Sequence, residues 1–230
     1  MVNERGTEVA LFLPALRERG FEVVDVVPSE EPLPATLDGF DAVLLGGGIV
    51  DTHQKDELPW LAGEIELART ALRDGVPAVG LCLGAQILTE AGGGEVRRSQ
   101  PAEIGWHEVA ARPEARDDPL FSALPERFLA FQWHHYACIP GAGAVALAAN
   151  AVAAQALRFS PLAWGTQFHV EVTRAILIGW WEHGGEGPLT ELGYSRESFE
   201  QSLDRHLGAH ERLGRELGER FAAVAAERAA

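Results

Sequence analysis

The first half of the chain alternates short apolar runs with segments in which apolar residues recur at helical spacing. The apolar runs at residues 21–27, 40–45 and 76–81 predict short buried strands. The segments at residues 8–19, beginning with a Thr7 cap, and 58–74 predict amphipathic helices. Strands that alternate with helices in this way indicate parallel βαβ units.

The second half changes pattern, because its apolar runs follow one another with short loops and few helices between them. This spacing favours a mixed or antiparallel part of the sheet. The predicted strands cover residues 103–109, 128–133, 144–149, 155–159 and 164–168. Two further helices are predicted, at residues 173–182 and from a Ser195 cap to the end of the chain. The whole chain therefore predicts a single α/β domain over residues 1–230.

Composition argues against several classes of protein. With a formal net charge of −15 at pH 7, the chain would be repelled by nucleic acids and by anionic membranes. Its two cysteines are too few for a disulfide scaffold and favour a reducing compartment. No signal peptide is recognised at the start, and the charge-free residues 136–157 are too rich in small and turn residues for a membrane span. We expect a soluble cytoplasmic protein.

The strongest chemical signal is a cysteine placed between an apolar strand and a predicted helix at residues 85–91. Cys82 is flanked by Gly80 and Gly84, which is the spacing of a nucleophile elbow. Such a turn exposes the central side chain at a helix N-terminus, where a thiolate is favoured. The alternative is that Cys82 is a small buried hydrophobic residue, which is the usual role of a free cysteine and is the role we expect for Cys138.

A nucleophilic cysteine needs a base and a group that orients the base. In an extended segment, residues two apart point to the same side, so His169 and Glu171 are predicted to form this pair. An oxyanion also needs two donors. The Leu83 amide, directly after the nucleophile, predicts one, and Gly47 in the glycine run at residues 46–48 predicts the other. His134 and His135 alone do not support a metal site, and none is predicted.

Together these motifs resemble the class I glutamine amidotransferases, and most of all the stand-alone relatives of the GMP synthase glutaminase domain. The resemblance extends over residues 7–181, which makes residues 184–230 a helical extension. It implies a flavodoxin-like, three-layer sandwich around a central, mostly parallel sheet. The residues that carry it are Gly80-x-Cys82-x-Gly84-x-Gln86, Glu103-Ile104-Gly105-Trp106, Gln132-Trp133-His134-His135-Tyr136 and Trp164-Gly165-x-Gln167-Phe168-His169-x-Glu171.

The resemblance implies attack on the γ-carboxamide of glutamine or of a γ-glutamyl amide, a glutamyl thioester on Cys82, and release of ammonia or an amine. No cofactor is implied. Gln86 matches a position that holds the amino-acid end of the substrate, and Gly48, His134 and Tyr136 are expected to line the same pocket. No ATP-pyrophosphatase loop is present in the sequence, so any synthetase that uses the ammonia would be a separate partner.

The sequence departs from the family pattern at two places. Val170 replaces the usual proline between His169 and Glu171, a change expected to leave their geometry intact. The first apolar strand of the family is missing ahead of the first predicted helix, which predicts an unfilled slot in the sheet with unpaired strand edges. Two rival functions stay open: a non-catalytic relative that binds or regulates, and a class I-like cysteine peptidase.

Overall fold

A mixed sheet organises the computed structural model, which describes residues 1–3 and 9–229. Within these residues the strands are, in chain order, β1 (Val43–Leu45), β2 (Ala78–Leu81), β3 (Glu95–Ala111), β4 (Arg127–Ile139), β5 (Val145–Ala149), β6 (Ala154–Ser160) and β7 (Ala163–Thr166). Across the sheet these seven strands lie in the order β1-β2-β7-β6-β5-β3-β4.

The parallel part of the sheet is smaller than the sequence predicted. Strand β2 pairs in parallel with both β1 and β7, and the pairings from β7 to β4 are antiparallel. The reason is visible in the connections: α-helices intervene only around β1 and β2, and parallel strands need such crossovers whereas antiparallel strands do not.

Helices cover both faces of the parallel region, as expected for a three-layer α/β sandwich. The helices are α1 (Leu13–Glu18), α2 (Pro59–Asp74), α3 (Leu83–Ala91), α4 (Arg174–Trp180), α5 (Glu186–Glu191) and α6 (Arg196–Ala229). Ala78 of β2 packs with the cluster formed by α2 and α3, whereas its neighbour Val79 faces the opposite cluster, to which α6 contributes Leu217. Among the described helices, none has the length and apolarity that a membrane crossing requires.

Most predicted elements are found, with shifted ends. Strand β3 begins well before the predicted residue 103 and contains a register shift between Arg98 and Glu103. Thr173 caps α4 as the Oγ1 acceptor of the Ile176 amide, and the long terminal helix follows Ser195. The first helix is shorter than predicted, and its expected Thr7 cap lies outside the described residues. Helix α5 was not predicted.

The predicted strand at residues 21–27 is wrong, because this segment has no regular secondary structure. Of its backbone groups, the Val26 carbonyl accepts a bond from the Val2 amide at 2.9 Å, while Val24 is 56 % exposed. A cavity of 840 Å³ separates the segment from β1. An apolar segment cannot remain a strand without a neighbour to pair with, so the slot that the sequence predicted at this edge explains the missing strand.

Candidate active site

The nucleophile elbow forms as predicted in its backbone, but the Cys82 side chain is buried rather than exposed. Cys82 lies between β2 and α3 with φ 52° and ψ −102°, and is the one non-glycine residue with positive φ in the described chain. A positive φ at a non-glycine residue is uncommon, and such strained conformations cluster at functional sites. Its backbone is held at both ends, because the Cys82 amide donates to Thr166 O at 2.8 Å and the Cys82 carbonyl accepts from the Gln86 amide at 3.1 Å.

The flanking glycines are required by close backbone contacts. A Cβ atom on Gly80 would lie 2.3 Å from the carbonyl oxygen of Gly84, and one on Gly84 would lie 2.1 Å from the carbonyl oxygen of Leu45. Neither contact can be relieved by turning a side chain, since both partners are backbone atoms. Gly80 therefore lets the turn of the elbow close, and Gly84 lets the elbow pack tightly against β1.

The loop at residues 46–48 is bonded to this elbow. The Gly46 carbonyl accepts from the Gly84 amide at 3.1 Å and from Asn3 Nδ2, also at 3.1 Å. A Cβ on Gly47 would lie 3.1 Å from His169 Cε1 and 3.9 Å from Cys82 Cβ, so this loop borders the reacting groups. Leu83 is the first residue of α3, a position whose amide has no intrahelical acceptor. The expected oxyanion donors thus lie beside Cys82.

His169 and Glu171 meet as their spacing predicted. His169 Nδ1 lies 2.8 Å from Glu171 Oε1, and both side chains are buried. Because a carboxylate can only accept, Nδ1 carries the proton of the neutral ring and Nε2 is the nitrogen left for the cysteine. Val170 in place of proline leaves this pair intact. The Trp180 ring packs edge-on against the imidazole, with centroids 4.8 Å apart.

The electrostatics of the site favour a positively charged histidine. Burial by itself would lower the pKa of His169, but the charge on Cys82 and then that on Glu171 outweigh it and raise the pKa to about 10. A histidine that holds a proton beside Cys82 stabilises the thiolate that forms when the thiol gives up its proton, because opposite charges attract. This arrangement is suited to nucleophilic attack by sulfur.

His210, on the terminal helix, supports the segment that carries His169, a role that the sequence pattern did not indicate. Its Nε2 donates to the His169 carbonyl at 2.7 Å, and burial lowers the pKa of His210. One turn later, a Cβ on Gly214 would lie 2.1 Å from the Val170 carbonyl oxygen. Helix α6 therefore packs directly on the backbone that carries His169. The only signal of this packing in the sequence is a histidine and a glycine four residues apart on the apolar face of α6. This signal is weak.

Gln167 is hydrogen-bonded to both cysteines, a second contact that the sequence pattern did not predict. Its Nε2 donates to Cys82 Sγ at 3.8 Å, and its Oε1 accepts from the Cys138 thiol at 3.4 Å. Cys138 is buried, and burial raises its pKa to about 12, so this thiol stays protonated and can donate. The two thiols are free. The position of Gln167 two residues before His169 was a signal that could have found it.

The residues predicted to bind the substrate differ in their burial and in their contacts. Gln86 is buried on α3, and its Oε1 has no hydrogen-bond partner among the described residues. Tyr136 is half-buried, with its ring 4.7 Å from that of His53. His134 is held in the interior, with Nδ1 2.8 Å from Tyr136 O and Nε2 3.2 Å from Glu103 Oε2. Its contacts are therefore with the fold rather than with Cys82.

Within residues 1–3 and 9–229, no group of three or more histidine, cysteine, aspartate or glutamate side chains is arranged to hold a metal ion. Glu103 illustrates why an acidic side chain in this core is not a ligand. Its carboxylate accepts from Asn150 Nδ2 at 2.5 Å and from Gln155 Nε2 at 2.8 Å, and it faces His134. The group is fully buried and satisfied by neutral donors.

Known proteins resemble the chain over three quarters or more of its length. It is 24 % identical over 228 residues to the glutamine amidotransferase-like protein YfeJ of Salmonella typhimurium, covering 95 % of both chains. It is 29 % identical to a glutamine-hydrolyzing GMP synthase subunit of Methanoculleus marisnigri, covering 76 % of this chain and 89 % of the relative. Identity to a γ-glutamyl-L-1-hydroxyisopropylamide hydrolase of a Pseudomonas species is 28 %, over 77 % of this chain and 57 % of that one.

The fold agrees with these relatives. The crystal structure of a glutamine amidotransferase from Thermotoga maritima superposes with a TM-score of 0.84 at 24 % identity, covering 95 % of this chain and 94 % of that chain. The family model described as glutamine amidotransferase class-I matches residues 9–175, which include the elbow, the glycine loop and the His169–Glu171 pair. The chain belongs to the class I glutamine amidotransferase family.

Proposed function

We propose that this protein hydrolyses the γ-amide bond of glutamine or of a γ-glutamyl amide through a thioester on Cys82. The observation that carries the proposal is the His169–Glu171 pair beside the strained elbow cysteine, with Nδ1 bound to the carboxylate at 2.8 Å. Membership of the family and the similarity to a γ-glutamyl amide hydrolase support the same reaction class. The two free thiols support action in the reducing cytoplasm.

In this scheme Cys82 gives its proton to His169 Nε2, and Sγ attacks the γ-carbonyl carbon. The negative charge that develops on the carbonyl oxygen is stabilised by the Leu83 and Gly47 amides. His169 returns the proton to the amide nitrogen, the C–N bond breaks, and ammonia or an amine leaves. Water then gives a proton to His169 and attacks the thioester, which releases glutamate and restores the thiol. Glu171 holds the imidazole in one orientation throughout.

Gln86 is the side chain best placed to bind the amino-acid end of the substrate. It follows Cys82 by one helical turn, and its buried Oε1 lacks a protein partner among the described residues. A buried polar atom without a partner loses hydrogen-bond energy that a substrate ammonium could restore. Gly48 and Tyr136 complete the proposed pocket. His134 acts through its hydrogen bond to the Tyr136 carbonyl and its close contact with Glu103, by fixing the strand that carries Tyr136.

The test is release of glutamate and amine from glutamine and from a series of γ-glutamyl amides. Cys82→Ala should abolish release, a fall of about 10⁴-fold or more. Cys138→Ala is the matched control, because it removes the other buried thiol and should keep activity within about threefold. Absence of release from every substrate with the folded wild-type protein would favour the non-catalytic alternative. Equal activity of Cys82→Ala and wild type would refute the thioester mechanism.

A second candidate function is ammonia supply to a separate synthetase, which the similarity to a GMP synthase subunit favours. It uses the same chemistry at Cys82 but differs in what activates the site. A glutaminase of this kind is expected to release ammonia slowly when isolated and faster in the presence of its synthetase and that enzyme's substrates. Rapid turnover of a γ-glutamyl amide by the isolated chain would instead support the stand-alone hydrolase.

A further inference from the structure

Two tryptophan rings lie on one side of the His169 imidazole. The Trp180 ring meets that imidazole edge-on, with centroids 4.8 Å apart and an interplanar angle of 79°. The Trp133 ring stands at 85° to the Trp180 ring, with centroids 5.9 Å apart. The fully buried Phe131 packs against both, its ring centroid 6.3 Å from that of Trp133 and 6.4 Å from that of Trp180. The three rings therefore form one continuous aromatic wall that ends at His169.

The aromatic wall also reaches the cysteine, through the backbone of β4. The Trp133 carbonyl accepts from the Cys82 thiol at 3.8 Å. Alternate residues of a strand point to the same face, so Phe131 and Trp133 pack in one apolar cluster whereas Ala130 packs in another. The wall is therefore held beside the attacking sulfur by Trp133 and beside the imidazole by Trp180.

The turn that follows α4 accommodates both tryptophans. A Cβ atom on Gly185 would lie 2.6 Å from Trp133 Cη2 and also 2.6 Å from the Trp180 carbonyl oxygen. Because glycine has no side chain, the Trp133 ring can lie directly against the backbone of this turn. The positions of the two rings are therefore fixed by the backbone as well as by the contact between the rings.

Trp133 and Trp180 keep part of their surface exposed, unlike Trp164, which is fully buried in the core. Both pack on an apolar cluster that includes Val172 and Leu177. Indole rings at a binding site contribute a large, rigid apolar area at a low cost in conformational entropy. A charged group placed against such a surface would lose hydration. The aromatic wall is therefore suited to an apolar ligand group.

The proposed reaction brings the leaving group to this wall. His169 Nε2 returns a proton to the amide nitrogen, so the nitrogen must come within about 3 Å of Nε2. A substituent on that nitrogen then begins beside the imidazole on which Trp180 packs. Glutamine carries no substituent there and would leave the wall uncovered, whereas an N-alkyl or N-benzyl γ-glutamyl amide would cover it.

We propose that Trp133 and Trp180 form the subsite for the substituent on the leaving nitrogen, and that the preferred substrates are γ-glutamyl amides of apolar amines rather than glutamine. This subsite depends on the proposed function, whose substrate class it narrows. In the step concerned, the C–N bond breaks, the nitrogen takes the proton from His169, and the acyl group stays on Cys82. One water then hydrolyses the thioester, so the products are glutamate and a free apolar amine.

The test compares kcat/KM for glutamine, γ-glutamyl benzylamide and the γ-glutamyl amide of 1,4-diaminobutane. We expect wild type to prefer the benzylamide to glutamine by at least about tenfold, a discrimination that an apolar pocket can provide. Trp133→Ala and Trp180→Ala should each lower this preference at least about fivefold, and Trp180→Phe should keep it within about threefold. Trp60→Ala is the matched control, because Trp60 is a partly buried tryptophan in the cluster formed by α2 and α3. It should leave the preference unchanged.

The ratio between two substrates separates a subsite from a supporting role. If Trp180 only supports His169, Trp180→Ala should slow both substrates equally and leave their ratio unchanged, which would overturn the proposal. A wild-type protein that prefers glutamine would overturn it as well. Preference for the 1,4-diaminobutane amide over the benzylamide would also do so, because the site would then select a cation rather than an apolar group.

Binding without turnover distinguishes failure of the subsite from failure of the proposed function. By calorimetry, the Cys82→Ala protein should bind γ-glutamyl benzylamide at least about tenfold more tightly than glutamine, and adding Trp180→Ala should remove the difference. That result, with a wild-type protein that hydrolyses neither compound, would support the subsite and refute the hydrolysis. Hydrolysis by wild type, with equal binding of the two compounds, would support the hydrolysis and refute the subsite. Absence of both binding and hydrolysis would overturn both.

Discussion

Cys82 and Cys138 are both buried free thiols that contact the same glutamine, yet their surroundings assign them opposite roles. Cys82 has His169 beside it and accepts a hydrogen bond from Gln167. Cys138 lies within β4, has no cation beside it among the interactions described, and donates to Gln167; burial raises its pKa to about 12. Burial therefore does not distinguish a nucleophile from a core residue. A nearby cation that is itself fixed by a carboxylate does.

The largest expected effect comes from removing that cation. His169→Asn should reduce amide hydrolysis by at least about 10³-fold and should slow alkylation of Cys82 by iodoacetamide at neutral pH, because the base and the counter-charge are both lost. Alkylation of Cys138 should stay undetectable in both proteins. His183→Asn is the control, since His183 is exposed and bonds only to the Gly179 carbonyl among the contacts described. Full activity of His169→Asn would contradict the assigned base.

The two cysteines are also expected to differ in their effect on the pKa of His169. Burial lowers the pKa of His169 and Cys82 is the strongest influence that raises it. Cys82→Ala should therefore lower the pKa of His169 by at least about two units, measured by NMR titration of its ring, whereas Cys138→Ala should leave it within about half a unit. The same drop in both variants would mean that loosened packing, not charge, controls the titration.

This shift also has a consequence for stability. The folded-state pKa of about 10 is above the ordinary value of 6.5. A group whose pKa is raised on folding stabilises the protein fully below its unfolded-state pKa, and the contribution is lost as the pH rises through the folded-state pKa. The stability that wild type gains from this pair relative to Cys82→Ala should therefore be fully present near pH 6, fall progressively as the pH rises from about 6.5, and be lost above about pH 10.

A smaller effect is expected from the geometry of the elbow, which Cys138 lacks. Gly84→Ala places a Cβ 2.1 Å from the Leu45 carbonyl oxygen, so β1 and the elbow must separate. The free energy of unfolding should fall by about 2–3 kcal/mol, measured by denaturant titration. Gly179→Ala is the control: it lies in α4 with no atom within 4 Å of the new Cβ and should be neutral or stabilising. Equal stabilities would show that the elbow is looser than described.

The smallest effect is expected at the residue that the two thiols share. Gln167→Leu removes one hydrogen bond to each cysteine and should slow alkylation of Cys82 by about fivefold, the equivalent of one ordinary hydrogen bond. Gln201→Leu, on the exposed face of α6, should leave the alkylation rate unchanged. An unaltered alkylation rate in Gln167→Leu would show that the Gln167 amide does not influence the reactivity of Cys82, which would leave His169 as its main partner.

Local pattern was sufficient for the parts of the molecule that depend on neighbours in sequence. The elbow at Gly80, Cys82 and Gly84 follows from the steric demand of a sharp strand-to-helix turn. His169 and Glu171 meet as their spacing predicted, although β7 ends at Thr166 and the pair lies in the turn beyond it rather than on a strand. By contrast, residues 21–27 have a strand-like sequence and are not a strand, because pairing depends on a partner that the segment itself does not specify.

The sequence by itself determined the α/β class and pointed to the elbow at Cys82 and the His169–Glu171 pair, the proposed nucleophile, base and orienting carboxylate, since each motif is set by spacing within a few residues. Only the tertiary structure decided which distant groups meet: the Gly46 loop with the elbow, His210 with the His169 carbonyl, Gln167 with both thiols, and Met1 with the edge of β1. These contacts join residues far apart along the chain. They are decided by how helices and strands pack, and no short pattern encodes that packing.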